Sequence, residues 1–474
     1  MTSVKRPRAD HRSGIRLLII GGSDAGIAAA MRARELDRTL EITVALADGY
    51  PNFSICGLPF FLSGETPDWN QLAHRTEFAG VSLRLWHRAR SINTAGQIVE
   101  LVDRENHTIF ASYNRLIIAT GAVPTVPQIP GVDLPGVHTL HTMEDSFRID
   151  QRLREQSARS VVIVGAGYIG VEMADALSHR RIPTILVGKT PSILQTVDTQ
   201  FGQLIAAELR RNNVELHTNI EVQQIRRSES SLEVIGSNGF QASADMVLLA
   251  TGVKPDSELA KSAGIRTGVR DAIRVDGCMR TNLPDIYAAG DCAETWHHIL
   301  QESQYSPLGT TSHKQGRVAG ENAVGGDKHF RGTVGTQVVK VFNLVIARTG
   351  LLDLEASAAG FNPRTTEIEA WDHKTYYPGA QSMRIRVTGD VDSGRLLGAQ
   401  IIGSWRSEVA KRIDIFATAL FHNMSVEAVN DLDLSYTPPL SSPWDPVQLA
   451  AQAWCQDWPL RPGTMPMHEV TSPP

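Results

Sequence analysis

An apolar strand that runs into a glycine turn and then a small-residue helix constrains this chain most, because it occurs twice. The run IRLLII (residues 15–20) leads into Gly21-Gly22-Ser23-Asp24-Ala25-Gly26, then IAAAMRAREL, then the apolar stretch EITVALAD at 41–48. The run VVIV (161–164) leads into Gly165-Ala166-Gly167-Tyr168-Ile169-Gly170, then VEMADALSHR, then PTILVG at 183–188. The two motifs begin 144 residues apart. Each is the opening of a doubly wound α/β unit that cradles a dinucleotide. The first glycine permits a tight turn and the second lets the backbone approach a pyrophosphate at the helix N-terminus. The third lets helix and strand pack closely. The second motif has all three, in Gly165, Gly167 and Gly170. The first has Gly21 and Gly26, with Ser23 in the middle place, still small enough for close approach. The chain therefore holds two dinucleotide sites or one duplicated domain.

The end of the second strand of each unit bears on which ribose is read. Asp48 lies 22 residues after Gly26, near the roughly 20 expected for an acid that binds a ribose 2′-hydroxyl; it equally suits a turn before Gly49. The second unit ends at Val187-Gly188-Lys189 with no acid. Lys189 suits a 2′-phosphate, which tilts the second site toward NADPH over NADH, or is a solvated surface lysine. Further strands run into small-residue turns at Thr120-Gly121, at Gly252 and at Gly290-Asp291. Segment 122–145, with Pro124, Pro127, Pro130 and Pro135, reads as a linker. Residues 331–474 alternate strand-like and helical stretches and read as an α+β domain.

A chain of 474 residues carries a prior of about three domains. Its 42% apolar and 20% charged composition is that of an ordinary globular protein, and its net charge of -5 argues against a nucleic-acid surface. No apolar run nears the ~18 residues of a membrane helix. Residues 1–14 are basic and polar without an apolar core, so a frayed terminus is expected there, not a secretory address. A cytoplasmic protein with free thiols follows.

The four cysteines are Cys56, Cys278, Cys292 and Cys455, too far apart for a metal knuckle or a local redox pair, and no metal is expected. Cys56 sits in NFSICGLPFF, eight residues beyond Asp48. Gly57 suits a turn and Pro59 the first turn of a helix, whose N-terminus would stabilise a thiolate. The alternative is a buried, inert cysteine. Cys292 reads as a packing residue and Cys455 as a bystander on a C-terminal helix. His297 and His298 read as solvent-facing. The stretch RLWHRAR (84–90) reads as a polar strand edge.

The ordered set GGSDAG, SICGLPFF, IIATGAVP, VVIVGAGYIGVEMADAL, LLATGVKPD, IYAAGDCAE, PLGTTSHKQGRVAGENAVGG, YYPGA, LGAQIIG and YTPPLSSPWDP resembles the pyridine nucleotide-disulfide oxidoreductases over residues 15–455. Within them it is most similar to the single-cysteine branch of coenzyme A-disulfide reductases, persulfide reductases, NADH oxidases and peroxidases. The resemblance implies two Rossmann-like domains and a C-terminal α+β dimerisation domain. FAD would bind residues 15–125 and 255–330, NADPH or NADH residues 126–254, and residues 331–457 would form a homodimer, followed by a flexible tail at 458–474. It implies that Asp291 binds the ribityl-phosphate part of FAD, that Tyr168 gates the nicotinamide face of the flavin, and that Glu172 lies near both. Cys56 matches the redox cysteine. Tyr436, with Tyr377 or Tyr376, matches tyrosines that reach the partner's active site. Asp24 stands where oxidases and peroxidases have histidine, either catalytic or capping the helix. Ile55 stands where coenzyme A reductases usually show asparagine, and no rhodanese-like extension is expected after residue 455.

The implied activity is an FAD-dependent NAD(P)H reductase of a small-thiol disulfide or persulfide, with the second sulfur supplied by the substrate. The alternatives are an NAD(P)H oxidase or peroxidase that cycles a cysteine sulfenate, and a flavin redox partner of a specific protein.

Overall fold

The computed structural model describes residues 14–155 and 157–459. The disorder expected of residues 1–13 and the flexibility expected of 460–474 lie outside the described residues.

The strand before each glycine turn is buried on every side, as an apolar run without alternation requires, and becomes the centre of a parallel sheet. In the first sheet the order is Ile286–Ala288, Arg115–Ile118, Arg16–Ile20, Glu41–Ala45, Val81–Arg84, all parallel. In the second it is Glu215–His217, Thr184–Val187, Val161–Val164, Met246–Leu249, Val137–Thr139, again parallel. Around each glycine turn the plan is the same. The strand after the helix lies on one side, and the strand that ends in Ala-Thr-Gly lies on the other. A three-stranded antiparallel meander follows in both units, at 88–112 and at 222–244.

The proline-rich segment holds more structure than a linker. Val137–Thr139 supplies the fifth strand of the second sheet, beside Met246–Leu249. Ala122–Pro124 pairs antiparallel with Val253–Pro255, so the two chain crossings between the units run as one ribbon. The Thr120 hydroxyl ties them further, donating to the carbonyl of Asp256 at 2.5 Å.

Helix Gly309–Ala323 closes the first unit by lying on helix Asp24–Leu36. A Cβ at Gly316 would stand 2.2 Å from the carbonyl oxygen of Ala25, and one at Gly320 would stand 2.2 Å from that of Ala29. Only a pair of bare positions one turn apart lets two helix backbones meet this closely.

The C-terminal domain is an antiparallel five-stranded sheet in the order Gln337–Val341, Leu344–Gly350, Leu396–Ser404, Ser382–Asp390, Pro363–Trp371. Helices Val409–Phe421 and Pro446–Asp457 cover one face around Phe416 and Trp454. Polar contacts fasten this domain to the second unit. Asp198 receives Arg386 Nε and Gln400 Nε2, each at 2.7 Å. Arg348 donates to the carbonyl of Thr196 at 2.7 Å.

His297 and His298 are buried, not solvent-facing. His297 ends the short strand Thr295–His297, which pairs with Glu302–Gln304, and its Nδ1 accepts from the Leu300 amide at 3.2 Å. Burial holds its ionisation down, to about 4. His298 stacks on Phe421, with ring centroids 5.0 Å apart.

Candidate functional site

Both glycine turns are built alike. Gly21 and Gly165 have φ of 106° and 117°, and a Cβ there would run into the carbonyl oxygens of Ala119 and Ala250, at 2.0 and 2.1 Å. A Cβ at Gly26 or Gly170 would stand 1.9 Å from the carbonyl oxygen of Gly21 or Gly165, so only glycine lets helix and strand pack this closely. Ser23 and Gly167 are the N-caps, and neither turn spends a side chain on the free amides of its helix. A Cβ on Gly167 would meet nothing, nor would one on Gly121 or Gly252. These turns face open space beside helix N-termini that attract anions. The Tyr305 hydroxyl is buried and has no hydrogen-bond partner among the described residues; the charge of Asp291 acts on it. Open glycine turns with unspent amides, and an orphaned hydroxyl by the third turn, fit a pair of dinucleotides.

Asp24 is the first residue of its helix, not the cap; Ser23 takes that place. Burial raises the pKa of its carboxyl, while His74 and His313 oppose the shift. Asp48 Oδ1 accepts from the Tyr50 amide at 2.9 Å, an Asx turn that leaves the other oxygen for a ligand. Asp291 is positioned by helix Gly309–Ala323. Ser312 Oγ donates to its Oδ1 at 2.6 Å. Gln315, fully buried, accepts from the Gly290 amide at 2.9 Å and donates to the carbonyl of Glu294.

Cys56 and Glu172 come from different units. The pair is created by packing. Helix Leu58–Ser63 lies against helix Tyr168–His179, burying Leu58, Phe61 and Leu62 with Met173 and Leu177. Pro59 opens that helix as expected. Cys56 lies in the turn before it and is exposed, whereas Cys278 and Cys292 are buried and Cys455 is half-buried on helix Pro446–Asp457. The thiol is not stabilised as a thiolate in the way a helix N-terminus suggested. The surrounding protein pushes its pKa up, and the charges of Glu172, Asp24 and Asp291 push it further. A six-residue helix offers too little dipole against three carboxylates. Glu172 is itself raised to about 7, by burial first and by Asp175 second. Tyr168, with Ile169 behind it, starts the same helix. Its hydroxyl accepts from Thr196 Oγ1 at 3.2 Å, and burial raises its pKa.

Where strand Thr184–Val187 of the second unit ends without an acid, the fold brings one from elsewhere. Lys189 Nζ lies 2.6 Å from Glu221 Oε1, from the strand region 32 residues on. At the first unit's corresponding end, Arg88 and Arg90 line a cavity with Trp86 and Arg104, the Arg104 guanidinium 3.0 Å from the Trp86 ring centre.

The tyrosines lie away from these turns, on the C-terminal domain. The side chains of Tyr376 and Tyr436 are neighbours that act on one another. Tyr377 turns to His373, with ring centroids 5.9 Å apart. All three are exposed, as are Trp371, Trp405 and Trp444 on the same domain.

Sequence reasoning missed Gln315, Ser312, Glu221 and the pair His74 and His313. HKQG in the late helix was visible, but nothing in its spacing said which turn it would support.

Comparison with known proteins agrees with this plan. Residues 15–316 match the family described as pyridine nucleotide-disulphide oxidoreductase, and residues 336–446 match its dimerisation domain. The NAD(P)H sulfur oxidoreductase (CoA-dependent) of Pyrococcus abyssi is 33% identical over 92% of this chain and 97% of its own. A coenzyme A disulfide reductase of Staphylococcus haemolyticus is 28% identical over 92% and 98%. The solved structure of a NAD-dependent persulfide reductase from A. fulgidus is 33% identical, with a TM-score of 0.89 over 94% of this chain and 83% of that one. The chain belongs to the pyridine nucleotide-disulphide oxidoreductases and is an oxidoreductase whose cofactors are FAD and NAD(P)H.

Proposed function

We propose that the chain reduces a small-thiol disulfide or persulfide, of the coenzyme A type, through Cys56 alone. The observation that carries this reading is the exposed Cys56 beside Glu172, with the remaining cysteines buried or half-buried in other elements. The second sulfur must then come from the substrate. Bound FAD and NAD(P)H supply the two electrons that reopen the resulting disulfide. The names of the relatives, sulfur, persulfide and coenzyme A-disulfide reductases, support the substrate class.

The chain's own residues divide the work. We assign residues 15–125 and 255–330 to FAD through Gly21, Ser23, Gly26, Asp48, Thr120, Gly121, Gly290 and Asp291. Residues 126–254 take NAD(P)H through Gly165, Gly167, Tyr168, Ile169, Gly170, Glu172, Lys189 and Gly252. Cys56, as thiolate, attacks one sulfur of the substrate and expels the other as a thiolate. Its raised pKa keeps it protonated at rest, so a base must take the proton first. Glu172, titrating near 7, is suited to hold it. Asp24 and Asp291 keep the pocket acidic, which disfavours an idle thiolate. The departing thiolate needs a proton. Tyr436 with its neighbour Tyr376 is suited to give one across a homodimer formed by residues 331–457. Among the described residues no helix is long and apolar enough to cross a membrane, and free thiols suit the reducing cytoplasm.

The experiment is a panel of disulfides and persulfides assayed without oxygen, with native protein and Cys56→Ser. The variant is expected to keep NAD(P)H-dependent bleaching of the flavin and lose disulfide turnover, and mass spectrometry of native Cys56 to find a bound small thiol. Full turnover by Cys56→Ser overturns the reading.

A further inference from the structure

Cys278, Asp327 and His329 form a cluster that none of the chemistry above uses. Asp327 and His329 lie 49 and 51 residues beyond Cys278, so no spacing rule draws attention to the set. One ligand atom from each lies within 4.8 Å of the others. The Cys278 Sγ is 3.5 Å from His329 Nε2. A tetrahedral zinc with Zn–S near 2.3 Å and Zn–N near 2.0–2.1 Å needs a sulfur–nitrogen edge of about 3.5 Å. The ligand pair already stands at that separation.

The two segments that carry the cluster are held by a shared buried frame. Asn322, 3% exposed, donates through Nδ2 to the carbonyls of Cys278 at 2.9 Å and Lys328 at 2.7 Å. Its Oδ1 accepts from the Lys328 amide at 2.8 Å. The Phe330 amide donates to the carbonyl of Gly277 at 2.8 Å. On the other side Asp276 Oδ1 accepts from the amides of Cys278 and Arg280, each at 2.9 Å, fixing the thiol-bearing turn. A preset frame of this kind is what holds first-sphere ligands in place in metal sites.

We propose that Cys278, His329 and Asp327 bind one divalent transition-metal ion of the zinc class. A thiolate, an imidazole and a carboxylate are the donor set such an ion takes. Cys278 is buried, while His329 and Asp327 are exposed, so the fourth position opens to water. The thiol proton leaves to solvent as the metal–sulfur bond forms, and no redox change is involved. The neighbouring charges are mixed: Asp276 and Asp327 favour a cation, and Arg280 opposes it. The ion pins the turn at Asp276 to the segment 325–331 that leads toward the C-terminal domain, a clamp outside the dinucleotide sites.

The test is equilibrium dialysis of chelator-stripped, reduced holoenzyme against micromolar zinc, with elemental analysis of bound metal. Native protein is expected to retain one zinc per chain. Cys278→Ser and His329→Ala are each expected to weaken retention by at least about tenfold, and Cys56→Ser to leave it unchanged. Because Cys278 is buried and its variant carries a folding risk, Asp327→Asn and His329→Ala, both at exposed positions, provide the same readout. No retained zinc in native protein, retention that survives Cys278→Ser or His329→Ala, or retention lost with Cys56→Ser overturns the proposal.

Discussion

Lys189 and Glu221 meet at 2.6 Å where the second dinucleotide's ribose end is expected, both side chains exposed. The lysine is therefore not a free cation, and a 2′-phosphate must compete with the carboxylate for it. Glu221→Gln removes the competitor. Exposed pairs of this kind are worth ~0.2–1 kcal/mol, so kcat/KM for NADPH over NADH is expected to rise about 1.4–5-fold. An unchanged or falling ratio would show that neither residue reads the ribose.

Glu172 carries a pH dependence whose sign is fixed by burial. Its carboxyl titrates at about 7 in the folded chain against 4.5 ordinarily. The unfolded chain loses that proton first, so this group's contribution is complete below about 4.5 and is lost as pH rises to about 7. The full loss is on the order of 3 kcal/mol before solvent screening. Glu172→Gln escapes it. The variant's Tm is expected to gain on the native by a few degrees between pH 5 and pH 8, and its Cys56 is expected to alkylate at lower pH. A Tm difference that is the same at both pH values counts against the burial argument.

Gly167 and Gly170 separate binding from folding within one turn. A methyl group at Gly167 meets nothing in the chain, whereas one at Gly170 meets the Gly165 carbonyl at 1.9 Å. Gly167→Ala is expected to keep the native Tm within about 2 °C and raise KM for NAD(P)H at least about tenfold. Gly170→Ala is expected to lower Tm or yield no folded protein, with overpacking of this kind costing ~1–3 kcal/mol or more. Thermal melts and initial rates on both variants decide it; an equal effect on KM and on Tm in the two would refute the distinction.

The interaction of Tyr376 with Tyr436, while Tyr377 turns to His373, makes Tyr376 the neighbour that matters. Tyr436→Phe is expected to cut kcat/KM for the disulfide by about 10²-fold, the lower end of what a proton donor contributes. Tyr376→Phe is expected to cost a smaller fraction and to shift the pH profile, and Tyr377→Phe to behave as native. A large loss confined to Tyr377→Phe would reverse the assignment.

Much of this was legible beforehand. The buried strands before Gly21 and Gly165, the Ala-Thr-Gly turns and the helix after Cys56 all lie where short-range pattern puts them, because buried parallel strands and glycine turns are local features. Legibility failed where the outcome depended on long-range packing. Nothing near Lys189 announces Glu221, and although the resemblance sets Asp24 near Cys56, nothing near Cys56 says that Glu172 and Asp291 will join it in surrounding the thiol with negative charge. His297 and His298 looked polar and exposed because their burial is imposed by a neighbouring strand and Phe421, not by their own segment. The Val137–Thr139 strand hid among prolines because it occupies a sheet edge, where three residues suffice.

The backbone contact of Gly316 and Gly320 with Ala25 and Ala29 joins positions 291 residues apart. It sets the order in which a ribosome can deliver finished parts. All five strands of the second sheet lie between residues 137 and 249, so that unit can close while synthesis continues. The first sheet must wait for Ile286–Ala288 and then for the helix bearing Gly316. The unit begun first is thus the later of the two to be completed, and strand Arg115–Ile118 waits through the synthesis of the second unit for its neighbour Ile286–Ala288. Premature termination between residues 249 and 309 yields a chain with all five strands of the second sheet and an unfinished first unit.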